Sequence, residues 1–242
     1  MTEYFRVGEL KIQDTPEILL NRDALYGTGE WQVREGCLYL SEKAQKSIPS
    51  ADFLFVTTNP GKVASAQRTL GKNWHIEPIK LDIFEDHTDV EQIASNKASI
   101  AYAVLCRPVL CDDSGLVISG MNGYPGARVK PELEKYGLEH FQRLGTPPKE
   151  AYWFMTLSYM DSMLKRPLLF TSKMEGILIG EPRGEYHKEV KSPLWRIWCV
   201  KGSNKTLIEM TEEEYSRYAT SDRWQRFAEF YRTQRTTLPQ SP

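Results

Sequence analysis

From residue 51 onward the chain alternates short apolar runs with amphipathic segments that carry helix start and stop signals, and this alternation constrains the fold more than any other feature. FLFVTT at 53–58 is a mostly apolar run followed at once by Asn59, Pro60 and Gly61. That is the layout of a buried strand entering a helix, and Gly71 supplies the stop. WHIEPIK predicts a second strand. Thr88 opens a T-x-x-E capping box with Glu91, and Val90, Ile93, Ala94, Ala101 and Val104 keep helical spacing until Arg107 and Pro108. A strand PVLC, an acidic turn CDDSG and a strand LVIS follow, then the glycine-rich loop GMNGYPG and a helix through Leu133, Tyr136 and Phe141. Two long strand-like stretches, AYWFMTLSYM and PLLFTSKMEGILIG, come next, split by a polar turn. A final helix is predicted from Thr211, with a second T-x-x-E box to Glu214, carrying Tyr215, Trp224, Phe227 and Tyr231. Strands and helices in alternation predict an α/β domain.

The first fifty residues differ. WQVREGCLYL alternates around Glu35 and Gly36 and predicts a small hairpin, and KAQKSIPS reads as a polar connection. The expected organisation is an extension over 1–50, a main domain over 51–233 and a polar tail over 234–242 that frays. Composition narrows the class further. Lysine and arginine number 31 against 32 aspartates and glutamates, a formal charge of −1, so no whole-chain basic field exists to hold a nucleic acid. Arg217, Arg223, Arg226, Arg232 and Arg235 are scattered along the C-terminal segment and read as a solvated face. No apolar run approaches the roughly 20 residues that span a bilayer, and the N-terminus lacks the layout of a secretory signal, so no membrane partner is expected and the location is read as cytoplasmic. The four cysteines form no C-x-x-C pair and the four histidines no H-E-x-x-H. Reduced thiols and a metal held by carboxylate oxygen, not zinc, are the expectation.

Three places carry residues suited to chemistry. At the first strand-to-helix junction, Thr57, Thr58, Asn59, Pro60, Gly61 and Lys62 combine the free N–H groups and positive end of a helix with a full cation. The same residues also read as an ordinary N-cap with Pro at the first helical position. Asp112 and Asp113, before Ser114 and Gly115, repel each other unless a cation or donors compensate. They read either as Mg²⁺ ligands and a base for water or as a solvated turn. Glu85 and Asp86 form a second acidic pair. Lys97, in the middle of the capped helix, and Lys130, beyond Tyr124, Pro125, Gly126, Ala127 and Arg128, each read alone as solvated lysines. Together, a basic junction, carboxylates and two further lysines are what a magnesium–triphosphate needs.

FVTTNPGK, KLDIFED, EQIASNKA, PVLCDDSGL and GYPGARVK, in this order and spacing, resemble the inosine triphosphate pyrophosphatase family over residues 52 to about 233. The resemblance implies a long twisted mixed β-sheet with flanking helices, two lobes around a central cleft, and a homodimer. It implies hydrolysis of a nucleoside triphosphate to the monophosphate and pyrophosphate with Mg²⁺, or Mn²⁺ in its place. Asn59 and Lys62 match the family's triphosphate-binding T/S-x-N-x-x-K, with Thr58 and Ser114 joining the substrate-binding set. Glu85 falls at a magnesium-binding glutamate. Asp112 and Asp113 match the acidic metal pair, with Asp113 as general base or water activator. Lys97 and Lys130 match phosphate-side lysines, and Lys62 and Lys97 join Asp113 in the expected catalytic set.

The C-terminal half departs from the family. Its base-stacking phenylalanine-glycine-aromatic-aspartate-proline run is replaced by Ser192, Pro193, Leu194, Trp195 and Arg196. Glu209 and Met210 are retained, but the following lysine-asparagine becomes Tyr215 and Ser216, and serine-histidine-arginine becomes Ser221, Asp222 and Arg223. Asp222 accepts hydrogen bonds only and favours an exocyclic amine, so the expected base carries an amino group. Trp195 or Trp198 is the candidate stacking ring, and Trp195, Asp222 and Arg223 complete the expected substrate-binding set. The other reading makes Trp195, Trp198 and Trp224 core aromatics and Asp222 a surface residue. In functional terms the alternative to the enzyme is an inactive nucleotide-binding or scaffolding protein on the same fold.

Overall fold

Phe53, Leu54 and Phe55 are all buried, and the apolar run they begin is β4 (Phe53–Val56) in the computed structural model. The structure describes residues 2–85, 89–185, 192–211, 213–215 and 222–237, with residues 234–237 described by backbone alone. The chain then enters α3 (Pro60–Leu70), capped by Asn59 and stopped at Gly71, whose φ of 84° suits glycine. β5 (Ile76–Ile79) lies parallel to β4, pairing Phe53 with Ile76 through Val56 with Ile79. After α4 (Val90–Leu105), β6 (Val109–Ile118) pairs in parallel with β4 from Leu54 opposite Val109 to Val56 opposite Cys111. β4 therefore has its two parallel successors on opposite sides. A parallel sheet that reverses its order in this way opens a crevice at the carboxyl ends of its strands.

The remaining strands complete a mixed sheet in the order β10-β9-β8-β6-β4-β5, with β7 (Pro125–Gly126) paired antiparallel to β6 off this path. β8 is Lys149–Met160, β9 is Leu168–Leu178, and β10 (Trp198–Val200) is antiparallel to β9. α5 (Val129–Leu144) precedes β8, and α6 (Asp222–Thr237) carries Trp224, Phe227 and Tyr231. The α/β class and long mixed sheet with flanking helices are as expected from sequence.

Two local expectations are corrected. CDDSG is not a turn: Asp112, Asp113, Ser114 and Gly115 continue one ten-residue strand, β6. Polar composition argues for a turn, but pairing with β4 at 109–111 and with β7 at 116–117 keeps both ends in the same sheet. Gly115 permits the close approach that this requires. A Cβ there would lie 2.7 Å from the Gly126 backbone and 2.8 Å from Val90 Cγ2. Gly115→Ala is therefore expected to destabilise the protein by about 1–3 kcal/mol through overpacking, measured by chemical denaturation. The second correction concerns the chain end, where helical backbone continues to Thr237 and so extends into the predicted polar tail. The Thr211 box does form, with Glu214 N–H donating to Thr211 Oγ1 at 3.2 Å and Thr211 N–H to Glu214 Oε2 at 2.9 Å. Thr88 of the first predicted box, Asp86, Ser216, Arg217 and Ser221 lie outside the described residues.

The described residues fall into two compact units. The first comprises those within Met1–Asp86, Glu91–Asp112 and Leu157–Phe170, and its core gathers Leu54, Ile79, Tyr102, Val104, Val109 and Met160 around the buried face of α4. The second comprises those within His87–Val90, Asp113–Thr156 and Thr171–Pro242, and packs Leu116, Phe141, Leu178, Ile197 and Leu207 around Trp198. Residues of the N-terminal segment belong to the first unit. β1 (Tyr4–Glu9), β2 (Trp31–Arg34) and β3 (Cys37–Ser41) form an antiparallel sheet ordered β1-β3-β2. The β2–β3 hairpin turns through Glu35 and Gly36, both at positive φ, the geometry that two-residue hairpins favour. This segment also carries α1 (Pro16–Tyr26), with Thr15 as N-cap and Gly27 as C-cap, and the short α2 (Glu42–Gln45). All four cysteines are free and buried. Burial pushes the Cys106 thiol up to about 12, so it stays protonated at neutral pH. Among the described residues no helix is long and apolar enough to cross a membrane.

Candidate active site

The crevice expected at the carboxyl ends of β4, β5 and β6 is where the chain brings its charged residues together. Thr57, Thr58 and Asn59 follow β4, the 81–85 loop follows β5, and Asp112 follows the part of β6 that pairs with β4. Asn59 Oδ1 accepts from the Gly61 N–H at 2.9 Å, so the N-cap reading holds for this side chain. The cap leaves the Asn59 amide group as a donor, because acceptor and donor ends of a carboxamide are separate. Thr58 and Asn59 are both exposed at this helix end.

One turn into α3, the Lys62 ammonium donates to the Asp112 carbonyl and lies 3.6 Å from Asp112 Oδ2. Lys62 is only 22% exposed and the Asp112 side chain 6%, so this pair is largely withdrawn from water. In the same unit, Lys97 of α4 forms an ion pair with Glu85 Oε1. Glu85 is more open, with 43% of its side chain exposed. The structure thus couples each of two predicted phosphate lysines to one predicted magnesium carboxylate.

The remaining predicted residues belong to the second unit. Asp113 is buried, and its Oδ1 accepts from the Ser114 N–H at 2.7 Å. A regular pleat sends neighbouring side chains to opposite faces of a strand, so Asp112 and Asp113 do not act as two arms of one turn. Lys130, at the start of α5, is 82% exposed and 3.9 Å from Glu134. Before it, the Tyr124 hydroxyl is 2.8 Å from both Glu132 Oε2 and His140 Nε2. Burial, and then the bond to Glu132, push the Tyr124 phenol up to about 12, which keeps it a neutral donor.

Of the three candidate base readers, two part company. Asp222 is exposed and pairs with Arg226 one turn along α6, at 3.1 Å. Arg223 is buried, with Nη1 3.3 Å from Ser172 Oγ and 3.4 Å from Met155 Sδ. Trp195 is half-buried and packs on Tyr215 with ring centroids 5.2 Å apart. Trp198 and Trp224 are core side chains, at 0% and 2% exposure, which removes Trp198 from the stacking candidates.

A family model described as Ham1 family matches residues 53–232. The chain belongs to the Ham1 family. Among relatives, the dITP/XTP pyrophosphatase of Methanopyrus kandleri is 30% identical over 184 residues, covering 74% of this chain and 95% of that protein. The inosine triphosphate pyrophosphatase of Yarrowia lipolytica is 30% identical over 163 residues, covering 66% of this chain and 84% of that protein. A HAM1 protein structure from Coxiella burnetii superposes with a TM-score of 0.61 at 22% identity, covering 77% of this chain and 98% of that one, which shows the shared fold. Residues 1–52 precede the Ham1 match. The sequence assigns them no role, yet Glu17 and Asn21 of α1 bond to the loop after β5, and Arg22 and Tyr26 to the last turn of α4. The Thr15-Pro16-Glu17 start and Gly27 stop were legible helix signals; nothing in the sequence shows what that helix holds.

Proposed function

We propose that this Ham1 family chain is a Mg²⁺-dependent nucleoside triphosphate pyrophosphohydrolase that splits its substrate into the monophosphate and pyrophosphate. The single observation that carries the reading is the pairing of Lys62 with Asp112 and Lys97 with Glu85 at the carboxyl ends of adjacent parallel strands. Each lysine is a cation for phosphate and each carboxylate a hard oxygen ligand for magnesium. With a magnesium–triphosphate bound, Lys62 and Lys97 would meet phosphate oxygens and Asp112 and Glu85 would hold the metal. The half-open Lys97–Glu85 pair opposes this little, since partly exposed ion pairs contribute about 0–1 kcal/mol.

The donor set fits magnesium. Glu85 and Asp112 offer only carboxylate oxygens, Asp113 is directed by the pleat to the other face of β6, and among the described residues no group of three His, Cys, Asp or Glu stands ready to enclose a metal. Mg²⁺ takes one or two carboxylates and completes its shell with water and substrate phosphates, and Mn²⁺ accepts the same ligands. When bound, the ion supplies charge neutralisation across the phosphates. Asp113 accepts the proton of the water that attacks the α-phosphorus, Lys62 and Lys97 neutralise the departing pyrophosphate, and Thr58, Asn59, Ser114 and Lys130 hold the triphosphate. For the base, Trp195 stacks, and Asp222 as an acceptor favours an amino-bearing ring.

Purified protein is to be tested for pyrophosphate release against ITP, XTP and the eight common nucleotides, with Mg²⁺ and with EDTA. Release with Mg²⁺, absent with EDTA and lost in Asp113→Asn, is the expected result. Preferential turnover of ITP and XTP refutes the altered base while leaving the hydrolase. Equal inertness of wild type and Asp113→Asn on the whole panel refutes the enzyme and favours a nucleotide-binding protein.

A further inference from the structure

The N-terminal helix α1 lies outside the Ham1 match, yet it touches both elements that carry the Lys97–Glu85 pair. On one side, Asn21 makes a two-way bond to the loop after β5: its Oδ1 accepts the Asp82 N–H at 2.8 Å and its Nδ2 donates to the Asp82 carbonyl at 2.9 Å. One turn earlier, Glu17 Oε1 accepts the Phe84 N–H at 2.5 Å, next to Glu85 itself. Asn21 Nδ2 also donates to the Glu17 carbonyl at 3.0 Å, which fixes the orientation of the amide. On the other side, Arg22 Nη2 donates to the Ala103 carbonyl at 2.7 Å, and Tyr26 OH to the Val104 carbonyl at 3.1 Å. These are carbonyls of the last turn of α4, which the helix itself leaves without partners. α4 carries Lys97.

We propose that α1 is a brace, with Glu17 and Asn21 as positioning residues that hold the 81–85 loop so that Glu85 stands against Lys97 for the magnesium–triphosphate. The inference rests on the reading of Glu85 and Lys97 given above. Leu81 and Ile83 of the loop pack on the core of the first unit, while Asp82, Phe84 and Glu85 are exposed, Phe84 at 76% despite being aromatic, so the backbone between the two apolar anchors depends on its bonds to α1. Backbone amides bonded to a side chain of a packed helix gain the order of that helix, and outer partners of ligating carboxylates tune affinity by orienting them. Arg22 and Tyr26 bond to α4 on the other side, so the helix that supplies Lys97 and the loop that supplies Glu85 share one support.

Two measurements on the full chain test this. Amide hydrogen exchange at Asp82 and Phe84 reads the brace without any substrate: Asn21→Ala is expected to speed exchange at Asp82, and Glu17→Ala at Phe84, each by about tenfold, with amides of β8 unchanged. Mg²⁺ titration of pyrophosphate release reads its purpose: Asn21→Ala is expected to raise the half-saturating Mg²⁺ concentration about tenfold at nearly unchanged kcat. Asn21→Asp, which keeps the acceptor for the Asp82 N–H, is expected to restore part of the loss. In a Glu85→Gln background, Asn21→Ala is expected to add nothing. Because Asn21 is buried, Glu17→Ala, at a half-buried position, repeats the test if Asn21→Ala does not fold. Unchanged exchange in both variants overturns the brace, and full additivity with Glu85→Gln overturns its action through Glu85. If wild type releases no pyrophosphate from any nucleotide, the site reading fails by that result alone, and exchange still decides the brace.

Discussion

Lys62→Met is expected to lower the rate of pyrophosphate release by about 10²–10³-fold, the loss that follows removal of one fixed charged donor from a site that stabilises developing negative charge. The lysine suits that role because it is already ordered. Its ammonium is held by the Asp112 carbonyl and lies 3.6 Å from the Asp112 carboxylate, on a helix whose positive end points at the same space. Methionine keeps the length and apolar stem but not the cation. The fall should appear in kcat at saturating Mg²⁺–nucleotide, in protein shown to be folded by its melting transition, which itself drops because Asp112, only 6% exposed, loses its cation. Lys62→Arg keeps the charge with different geometry and should recover only part of the rate. A fall of less than about tenfold would remove Lys62 from the phosphate site, since a donor of this kind is worth more.

Asp14→Ala is expected to destabilise the protein by about 3 kcal/mol, because it takes the carboxylate away from an arginine with no exposed surface. The Arg22 side chain is 0% exposed, its Nη1 lies 2.8 Å from Asp14 Oδ2, and its guanidinium stacks 5.1 Å from the Trp31 ring centre. Without Asp14 the charge stays buried with the Ala103 carbonyl as its hydrogen-bond acceptor among the described residues. For a chain of this size the loss corresponds to a fall in melting temperature of roughly 6–12 °C, read by differential scanning calorimetry. Replacing both members, as in Asp14→Leu with Arg22→Met, should recover much of it, since a buried pair exchanged for packed apolar groups is often neutral. If Asp14→Ala melts with wild type, the pair does not anchor α1.

The elements that sequence reading located are those whose signals are local. FLFVTT is apolar and short, Asn59-Pro60-Gly61 starts a helix and Gly71 ends it, and the alternation in WQVREGCLYL with Glu35-Gly36 has one economical hairpin solution. Asp112-Asp113-Ser114-Gly115 departs from its sequence expectation for the opposite reason. Its polar composition favours a turn, and only neighbours distant in sequence, β4 and β7, hold it in an extended strand. The tryptophans divide in the same way: composition cannot separate Trp198, sealed in the core beside Trp153, from Trp195, half-buried on Tyr215. Among the candidate site residues, the motifs around Lys62, Glu85 and Lys97 are legible as a family pattern, but their pairing is not. Lys62 meets a residue fifty positions away, and Lys97 meets Glu85 across a helix and a loop.

By itself the sequence determined the α/β class, the helix boundaries set by caps and glycines, the Ham1 membership and the stock of lysines and carboxylates, because each depends on residues near one another in the chain. Tertiary structure alone decided which lysine faces which carboxylate, that the acidic run is a strand, and that the first fifty residues brace the loop bearing Glu85. Those outcomes turn on hydrogen bonds and burial between segments tens of residues apart, which neither local propensity nor spacing specifies.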